Sequence, residues 1–446
     1  MRKLAVVVLA AGQSTRMKSK LVKVLHPIAG RPMIEYVLDA VESLEAGRAY
    51  LVVAKDAEQV RLALGDRVIY VEQGQQLGTG HALLQARPLL EGRAETVLSI
   101  YGDNPLIAAS TLRRLAQVHE ETNATVTLLT VLSEESLGFG RILRDSNKRI
   151  NAIIEEAMAS PEERQIRELN AGVYCLSDRW LWPHLAGLPL SPKGEYFLTD
   201  LVEAAAREGE TISSLAVEDI SEVLGINNRV HLAQAERVVR ERVRHELMLS
   251  GVTLMDPATI YVDSTVKIGP DTVIYPNCYI LGETTIGNDC SIGPNCQIVD
   301  SEIGNGCRLV ASVVEEATLA EAVHVGPFAH LRPGSRLAAG VHVGNFAEVK
   351  MSTLGPGTKV HHVSYLGDAR VGADVNIGAG TVTCNFDGER KHPTVIEDSA
   401  FIGSDTMLVA PVKVGRRART GAGSVVTRDI PEGKTAYGVP ARVREK

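Results

Sequence analysis

The chain has 446 residues, which is too long for one hydrophobic core, so two or three domains are expected. Apolar residues make up 45% and aromatic residues only 4%, a composition typical of a globular protein with a narrow aliphatic core. The net charge of −7 gives no indication of a nucleic-acid-binding protein, and no apolar run of about 18 residues predicts a membrane span.

The first apolar run, residues 3–10, predicts a buried parallel strand. It follows a basic N-terminus, but it lacks an Ala-x-Ala cleavage pattern and continues into a turn, so we expect a strand, not a signal peptide, and a cytoplasmic protein. Backbone N–H groups at Ala11 and Gly12 can bind phosphate, and Arg16 and Lys23 can neutralise it. The turn lacks the P-loop and Rossmann patterns, so an ordinary strand–helix turn remains open.

Strands and helices then alternate along the chain. We predict helices at 32–46 and 60–64 and strands at 49–54, 68–71 and 95–101. A second Gly-rich turn at 75–82 is expected at the same edge of the sheet as the first. Asp103 follows a buried strand beside both turns, so it is a candidate metal ligand, with a helix or turn cap as the alternative.

Further strands are predicted at 124–132 and 141–154, another begins at Asn170, and a helix is expected over 194–207. This alternation predicts an α/β domain, residues 1–226, with an open, mostly parallel Rossmann-like sheet and helices on both faces. Residues 227–251 predict a helical linker, because apolar residues recur at 232, 235, 239, 243 and 247 and Gly251 ends the pattern.

From 252 to 446 the chain carries a hexapeptide repeat. Isoleucines at 268, 274, 280, 286, 292 and 298 are six residues apart, and after one shorter step apolar residues recur at 325, 331, 337, 343 and 349. This period predicts a parallel β-helix with three flat faces per coil of about 18 residues. Cys290 and Cys296 are expected to stack on one face. All six cysteines, Cys175, Cys278, Cys290, Cys296, Cys307 and Cys384, are expected to be buried free thiols in a reducing compartment, with disulfides or metal ligands as the alternative.

The repeat is interrupted between Ile377 and Ile396, where residues 378–393 predict a loop projecting from the coil. Such insertions usually mark the functional face of a solenoid. Residues expected near this loop in the coil register are Arg332, Lys350, His361, His362 and Tyr365.

Several motifs resemble those of sugar-phosphate nucleotidyltransferases, and others resemble hexapeptide acetyltransferases. The first group comprises Leu9-Ala10-Ala11-Gly12, Thr15-Arg16-Met17, Lys23, residues 76–82, Tyr101-Gly102-Asp103, residues 194–200 and residues 225–229. The second group comprises residues 331–334, 343–346, 365–368, 376–381 and Cys384-Asn385. Nearly the whole chain resembles the bacterial bifunctional enzymes that acetylate glucosamine 1-phosphate and then uridylate the product.

The resemblance implies a left-handed β-helix, a homotrimer, and small-molecule substrates rather than nucleic acid. It also implies the roles of the N-terminal residues, with Mg²⁺ as cofactor held by Asp103 and Asn227. The triphosphate of UTP would be held by Arg16, Lys23 and the segment Leu9, Ala10, Ala11 and Gly12, near Tyr101 and Gly102. The uracil would lie against Gln73, Gly78 and Thr79, and the sugar against Gly140, Glu155 and Asn170.

In the second half, the resemblance selects His362 over His361 as the general base that deprotonates the substrate amine. Strand alternation is expected to place these two histidines on opposite faces. The sugar phosphate would bind Arg332, Lys350, Tyr365 and Asn376, and acetyl-CoA would bind Ala379, Asn385, Phe386, Ser404 and Ala422. Lys391, on the loop, is either a phosphate or CoA ligand or a solvated charge.

Three positions depart from the family pattern. Gln13–Ser14 replace a second glycine in the first loop, and Phe386 stands where Tyr is common. Gly438 stands where the family commonly has Arg, and Arg442 is the candidate replacement for binding CoA.

Two alternatives to a bifunctional enzyme remain at this point. One is a single-activity nucleotidyltransferase whose β-helix only oligomerises or regulates. The other is a sugar-nucleotide sensor on a β-helical scaffold, which Asp103, Lys23 and the uracil loop argue against.

Overall fold

The structure is a computed structural model that describes residues 3–12 and 15–444, so the departure at Gln13–Ser14 lies outside the described residues. The chain divides into two compact units, Met1–Val239 and Arg240–Lys446. Within the described ranges, no helix combines the length and apolar character needed to cross a membrane.

The first unit is an α/β domain, and its described residues form eleven strands. The strands are β1 (Leu4–Leu9), β2 (Pro27–Ile28), β3 (Arg31–Pro32), β4 (Tyr50–Ala54), β5 (Ile69–Gln73), β6 (Thr96–Tyr101), β7 (Val126–Leu132), β8 (Arg141–Arg144), β9 (Ile150–Ile154), β10 (Glu168–Ser177) and β11 (Ile212–Val217). The helices are α1 (Met33–Glu42), α2 (Glu58–Leu64), α3 (Thr79–Leu84), α4 (Arg87–Leu90), α5 (Ala109–Glu121), α6 (Asp178–Ala186), α7 (Asp200–Glu208) and α8 (Arg229–Leu249). Short 3₁₀ helices lie at Thr15–Met17, Lys23–Leu25, Gly65–Arg67, Glu163–Gln165 and Ile220–Val223.

The main sheet has the strand order β11-β7-β10-β6-β1-β4-β5, with β1 central between two parallel neighbours. Because β10 runs antiparallel to both β6 and β7, the sheet is mixed. The region predicted as one strand over 141–154 is a hairpin of β8 and β9 instead. The carboxyl ends of β1, β5 and β6 carry the turns that were predicted to bind ligands.

The helix expected to begin at Gly194 begins six residues later, at Asp200. Gly194 has a φ of +77°, which a helix excludes, and Tyr196 donates its backbone N–H to the Leu77 carbonyl at 2.8 Å. The segment before α7 therefore pairs with the second Gly-rich turn instead of coiling. Helices α5 and α6 and strand β11 were not predicted from the sequence.

The second unit is a parallel β-helix with three walls, each a sheet of parallel strands. The first wall contains Thr253–Leu254, Val273–Ile274, Ser291–Ile292, Arg308–Leu309, His324–Val325, His342–Asn345, Lys359–His362, Asn376–Ile377, Phe401–Ile402, Arg419–Thr420 and Thr435–Gly438, and is closed by the antiparallel strand Ala441–Arg444. The second wall contains Tyr261–Val262, Tyr279–Leu281, Gln297–Val299, Val313–Glu315, His330–Leu331, Glu348–Lys350, Tyr365–Gly367, Val382–Cys384, Met407–Val409 and Val425–Val426. The third wall contains Lys267–Ile268, Thr285–Ile286, Glu302–Ile303, Thr318–Leu319, Arg336–Leu337, Thr353–Leu354, Ala369–Val371, Thr394–Ile396 and Val412–Val414, and a short 3₁₀ helix lies at Pro257–Thr259.

The six repeated isoleucines all point into the core of the β-helix, as predicted, and each is at most 9% exposed. Ile268, Ile274 and Ile280 lie on three different walls, so equivalent residues recur after three hexapeptides. The prediction of one shorter step is wrong, because the inward residues after Ile298 are Ile303, Leu309, Val314, Leu319 and Val325, so three steps are five residues long. Ile286 therefore pairs with Ile303 across 17 residues, and Ile298 pairs with Val314 across 16.

The prediction that Cys290 and Cys296 stack on one face is wrong, because six residues carry the chain from one wall to the next. Cys290 precedes a first-wall strand and Cys296 a second-wall strand. The thiols that adjoin across neighbouring coils are Cys290 with Cys307 and Cys278 with Cys296. All six cysteines are free, as expected, and all but Cys384 are buried.

The projecting loop is shorter than predicted. Residues 382–384 form a regular second-wall strand, so only residues 385–393 lie outside the coil, before the third-wall strand at Thr394. The linker helix α8 buries Ala235, Val239 and Leu247, three members of the predicted apolar stripe. The boundary between the two units falls within this helix.

Candidate functional sites

The first unit has a cavity of about 640 Å³ at the carboxyl ends of its central strands. Of the residues predicted for the nucleotide and sugar site, all except Ala10 and Gly102 line it: Leu9, Ala11, Gly12, Arg16, Lys23, Gln73, Gly78, Thr79, Tyr101, Asp103, Gly140, Glu155, Asn170 and Asn227. Gly102 instead packs against α1, because an added Cβ would lie 2.9 Å from Ile34 Cδ1 and 3.1 Å from the Ala10 side chain.

At one end of the cavity, two cations meet two oxygen donors. Lys23 Nζ forms an ion pair with the Asp103 carboxylate and lies 3.4 Å from Asn227 Oδ1, which also accepts a hydrogen bond from Arg16 at 2.8 Å. The backbone fixes this arrangement, since the Ile226 N–H donates to the Asp103 carbonyl at 3.0 Å. Four residues far apart in sequence therefore converge on one point.

This oxygen pair fits a divalent cation. The Lys23 ammonium lies between the Asp103 carboxylate and the Asn227 amide oxygen, so a positive charge already occupies the position that both donors face. Carboxylate and amide oxygens are ligands that Mg²⁺ accepts, usually together with phosphate oxygens and water. Among the described residues, no group of three or more His, Cys, Asp or Glu side chains forms a denser metal site.

The second Gly-rich turn forms one wall of the cavity through close backbone contacts. Gly78 has a φ of +99°, and an added Cβ would lie 2.6 Å from the Tyr196 carbonyl oxygen, so only glycine fits. Gln76 donates from Nε2 to the Ala11 carbonyl at 2.7 Å and so joins this turn to the first one. Gln73 is buried and donates to the Gly78 carbonyl at 3.2 Å.

Tyr101 forms the floor of the cavity. Burial, together with the carboxylates of Glu155 and Asp103, raises the pKa of its hydroxyl far above the usual range, so Tyr101 stays neutral. Glu155 also accepts a hydrogen bond from Thr199 Oγ1 at 3.0 Å. The ring packs directly against the α-carbon of Gly172, where a Cβ would clash with Tyr101 Cε2.

Several lining residues were not predicted as site residues: Gln76, Ala82, Asn104, Gly138, Phe139, Ala171, Gly172, Glu195, Phe197, Thr199, Val223 and Gly225. Many belong to the motifs that carry the family resemblance, such as 194–200 and 225–229. Proximity to a motif was therefore the signal that could have found them.

On the β-helix, predicted phosphate ligands lie together on the second wall. Lys350 follows Glu348, which pairs in register with Tyr365, and Arg332 lies one coil earlier, where it donates to Glu348 at 2.8 Å. The positive charges of Arg332 and Lys391 lower the pKa of Lys350, so the loop brings a third cation to this cluster. Asn376, by contrast, lies on the first wall, in register with Lys359 and Phe401.

His362 and three predicted acetyl-CoA residues follow one corner of the β-helix, between the first and second walls. Backbone hydrogen bonds link successive coils there: Val363 N–H to Asn345 O at 2.9 Å, Gly380 N–H to Val363 O at 2.9 Å, Asp405 N–H to Ala379 O at 2.6 Å and Gly423 N–H to Ser404 O at 2.8 Å. His362, Ala379, Ser404 and Ala422 thus form a column, which we call the corner column.

The two adjacent histidines do not lie on opposite faces, because their strand ends at this corner. Neither ring enters the core, and the ring centroids are 5.8 Å apart. His361 packs on His342 at 4.6 Å, and its Nε2 is buried without a hydrogen-bond partner. His362 is the exposed member of the pair.

The remaining predicted acetyl-CoA residues lie on the loop and at the C-terminus. Asn385 is buried and donates to Asp368 at 2.5 Å, whereas Phe386 is 60% exposed and bridges to Lys391. Arg442 pairs with Tyr437 in the terminal hairpin. Arg444, which was not predicted, lies over the Tyr437 ring at 5.4 Å and is a second cation in this hairpin.

Comparison with known proteins agrees with this two-unit architecture. Residues 6–208 match the family of MobA-like NTP transferase domains, and residues 265–299 and 393–428 match the bacterial transferase hexapeptide family. The second unit is thus the parallel β-helix predicted from the repeat, and its match to the hexapeptide family agrees with the left-handed form that the resemblance implies.

Curated relatives match the chain over nearly its full length, and two of them serve as examples. The bifunctional protein GlmU of Pelobacter propionicus is 48% identical, covering 98% of this chain and 96% of that protein. The bifunctional protein GlmU of Heliobacterium modesticaldum is also 48% identical, covering 98% and 95%. The chain therefore belongs to the GlmU family of bifunctional enzymes, with uridyltransferase and acetyltransferase activities in one polypeptide.

Proposed function

We propose that the cavity of the first unit uridylates N-acetylglucosamine 1-phosphate with UTP and that the corner column of the second unit acetylates glucosamine 1-phosphate with acetyl-CoA. The observation that carries the first assignment is the convergence of Lys23, Arg16, Asp103 and Asn227 at one end of the cavity. We assign residues 1–226 to the uridyltransferase, 227–251 to a helical linker and 252–446 to the acetyltransferase.

In the uridyltransferase, a phosphate oxygen of the sugar substrate attacks the α-phosphorus of UTP and pyrophosphate leaves. The protein supplies position and charge compensation, since no covalent intermediate is required. Arg16 and Lys23 neutralise the triphosphate beside the backbone of Leu9, Ala11 and Gly12.

The rest of the cavity holds the base and the sugar. Gln73, Gly78 and Thr79 bind the uracil, where the absent side chain of Gly78 permits close approach. Gly140, Glu155 and Asn170 bind the N-acetylglucosamine moiety.

Asp103 and Asn227 are the residues that would hold Mg²⁺. When bound, this ion neutralises developing negative charge on the phosphates. Because Lys23 contacts both oxygen donors, we expect its ammonium to turn towards the triphosphate when the substrates bind.

In the acetyltransferase, the amine of glucosamine 1-phosphate attacks the thioester carbonyl of acetyl-CoA, and free CoA leaves. His362 accepts the amine proton on its imidazole ring, which is exposed and so accessible to substrate. Arg332, Lys350 and Lys391 bind the phosphate, with Tyr365 and Asn376 at the sugar.

Acetyl-CoA follows the corner column along Ala379, Ser404 and Ala422, beside Asn385 and Phe386. Arg442 is the cation at the end of this path. We further propose a homotrimer, since the exposed Phe328 and Phe346 stack at 5.3 Å on the surface of the β-helix and suit burial against a second copy. The buried free thiols favour a reducing cytoplasm.

Metal binding tests the first assignment without relying on activity. Mn²⁺ binding, followed by electron paramagnetic resonance in the presence of UTP, should weaken by at least about tenfold in Asp103→Asn and in Asn227→Ala. Glu58→Gln, on the exposed start of α2, is the matched control and should bind Mn²⁺ as wild type does. Unchanged Mn²⁺ binding in both site variants would refute the metal assignment.

A further inference from the structure

His26 is a buried histidine close in sequence to Lys23 but outside the cavity lining. Its side chain is 3% exposed, and its backbone is held at both ends: its N–H donates to the Lys23 carbonyl at 3.2 Å, and its carbonyl accepts from the Met33 N–H at 3.0 Å. A shift of the His26 backbone would therefore move the short helix that carries Lys23.

The His26 ring makes one polar contact with the side chain of a distant residue. Arg229, the first residue of α8, lies with Nη1 3.3 Å from His26 Nδ1. Guanidinium groups only donate hydrogen bonds, so Nδ1 must be the acceptor and the ring must be neutral with its proton on Nε2. Burial, and secondarily the charge of Arg229, lower the pKa of His26, which agrees with a neutral ring.

Arg229 belongs to the segment that carries Asn227. Asn228 caps α8 by accepting from the N–H groups of Val230 and His231, both at 2.9 Å, and Ile226 is bonded to Asp103. A second contact joins the same two segments, since Glu236 on α8 accepts from the Ala29 N–H at 2.7 Å. The segment of Lys23 and the segment of Asn227 are thus joined by polar contacts outside the cavity.

We propose that His26 is a positioning residue for uridyl transfer, which through Arg229 holds Asn227 at the correct distance from Lys23 and Asp103. This inference rests on the proposed roles of Lys23 and Asn227. His26 touches no substrate, and its effect is exerted through the relative placement of two segments. The charged groups on the surrounding segments are Arg229 and Glu236 of α8 and Lys23.

The test compares two substitutions of His26. His26→Gln keeps a neutral acceptor for Arg229, whereas His26→Leu has similar volume and no acceptor. At pH 8, kcat/KM for uridyl transfer should fall roughly tenfold in His26→Leu, as for other indirect ligand partners. It should be largely retained in His26→Gln. Acetyl transfer, which belongs to the second unit, should not change, and the thermal midpoint of the same preparations reports whether the first unit is folded.

The pH dependence separates positioning from packing. Burial places the pKa of His26 below that of a free histidine. When the pH falls below this lowered pKa, protonation turns His26 Nδ1 into a donor facing Arg229, and wild type loses the contact, whereas His26→Gln keeps it. The ratio of the His26→Gln rate to the wild-type rate, in which substrate ionisation cancels, should therefore rise as the pH falls.

Arg229→Met removes the same contact from its other side and leaves the buried His26 unchanged. It should lose as much uridyl transfer as His26→Leu, and the double variant should lose no more, since both remove one contact. Equal rates for His26→Leu and wild type, fully additive losses, or a ratio independent of pH would each overturn the proposal. If Mn²⁺ binding still depends on Asp103 in that case, the proposed function stands without it.

Discussion

Lys23 and Asp103 form an ion pair at the end of the uridyltransferase cavity, with 16% and 18% of their side chains exposed. The pair joins the short 3₁₀ helix Lys23–Leu25 to the segment after β6, and Asn227 adds a third segment at 3.4 Å from the same ammonium. Breaking such a partly buried pair on one side leaves an uncompensated charge, which costs more than removing an exposed pair.

Lys23→Met tests this pair. We expect uridyl transfer to fall at least about 100-fold, because the triphosphate loses a preorganised cation. Pyrophosphate release measures this step, and CoA release from the same protein should stay normal. Lys267→Met, on the exposed third wall, is the control and should leave both activities unchanged. A Lys23→Met enzyme with normal pyrophosphate release would contradict the assignment.

A substitution of Gly172 tests its contact with the Tyr101 ring. Gly172→Ala should lower the thermal midpoint and uridyl transfer together, because it adds a clash with the ring to the strain of a φ of +75°. The expected loss of unfolding free energy is about 2–4 kcal/mol.

Gly209→Ala is matched in backbone conformation, with a φ of +75° and open space at the added Cβ. It should lower the free energy of unfolding only by the strain of the positive φ, about 1–2 kcal/mol, and it should leave uridyl transfer intact. Equal effects of the two alanines would show that the Tyr101 contact is unimportant.

A substitution of Lys391 distinguishes its two possible roles, a phosphate ligand and a solvated charge. If the loop delivers this cation to the phosphate, Lys391→Met should raise KM for glucosamine 1-phosphate by about tenfold, as for a lost charge-assisted hydrogen bond. KM for acetyl-CoA and the uridyl transfer rate should not change. Arg390→Met removes the neighbouring exposed cation on the same loop and is the control. An equal rise in KM in this variant would indicate a general electrostatic effect of the loop and not a contact of Lys391 with the phosphate.

Stability should fall in mild acid. Burial lowers the pKa values of His342 and His361, with the neighbouring imidazoles and Lys359 adding to the effect. The folded state therefore binds these protons less tightly than the unfolded state, so stability is full above pH 6.5 and declines as the pH falls below it.

His361→Asn should reduce the drop in thermal midpoint between pH 7.5 and 5.5, measured by circular dichroism. His245→Asn, on the exposed face of α8, is the control and should keep the full drop. If His361→Asn leaves the drop in thermal midpoint unchanged, His361 does not contribute to the loss of stability in acid.

The β-helix could be predicted from the sequence because its signal is local and repeated. The same repeat was misinterpreted for Cys290 and Cys296, since a six-residue period fixes the inward position but not which residues adjoin. That needs the three-wall geometry, in which neighbours such as Cys278 and Cys296 are 18 residues apart. The antiparallel placement of β10 had no local signal at all, because strand direction depends on pairing with β6 and β7.

The residues that converge in the cavity were predicted where they belong to a recognisable motif. Lys23, Asp103 and Asn227 were identified that way, although they are separated by up to about 200 residues. Arg444 lies over Tyr437 across the terminal hairpin, and no motif marks it. Thr199 lies in the 194–200 motif but was not predicted as a site residue, because its hydrogen bond to Glu155 joins segments 44 residues apart. The delayed start of α7 has the same cause, since Tyr196 pairs with Leu77 instead of entering the helix.

The central claim is that one chain carries two independent sites, with His362 as the base of the second. The most direct measurement follows both reactions in a single preparation of His362→Ala. We predict that CoA release with glucosamine 1-phosphate falls at least about 100-fold. Pyrophosphate release from UTP and N-acetylglucosamine 1-phosphate should remain at the wild-type rate. Undiminished CoA release, or a parallel loss of both activities in a folded protein, would contradict the account.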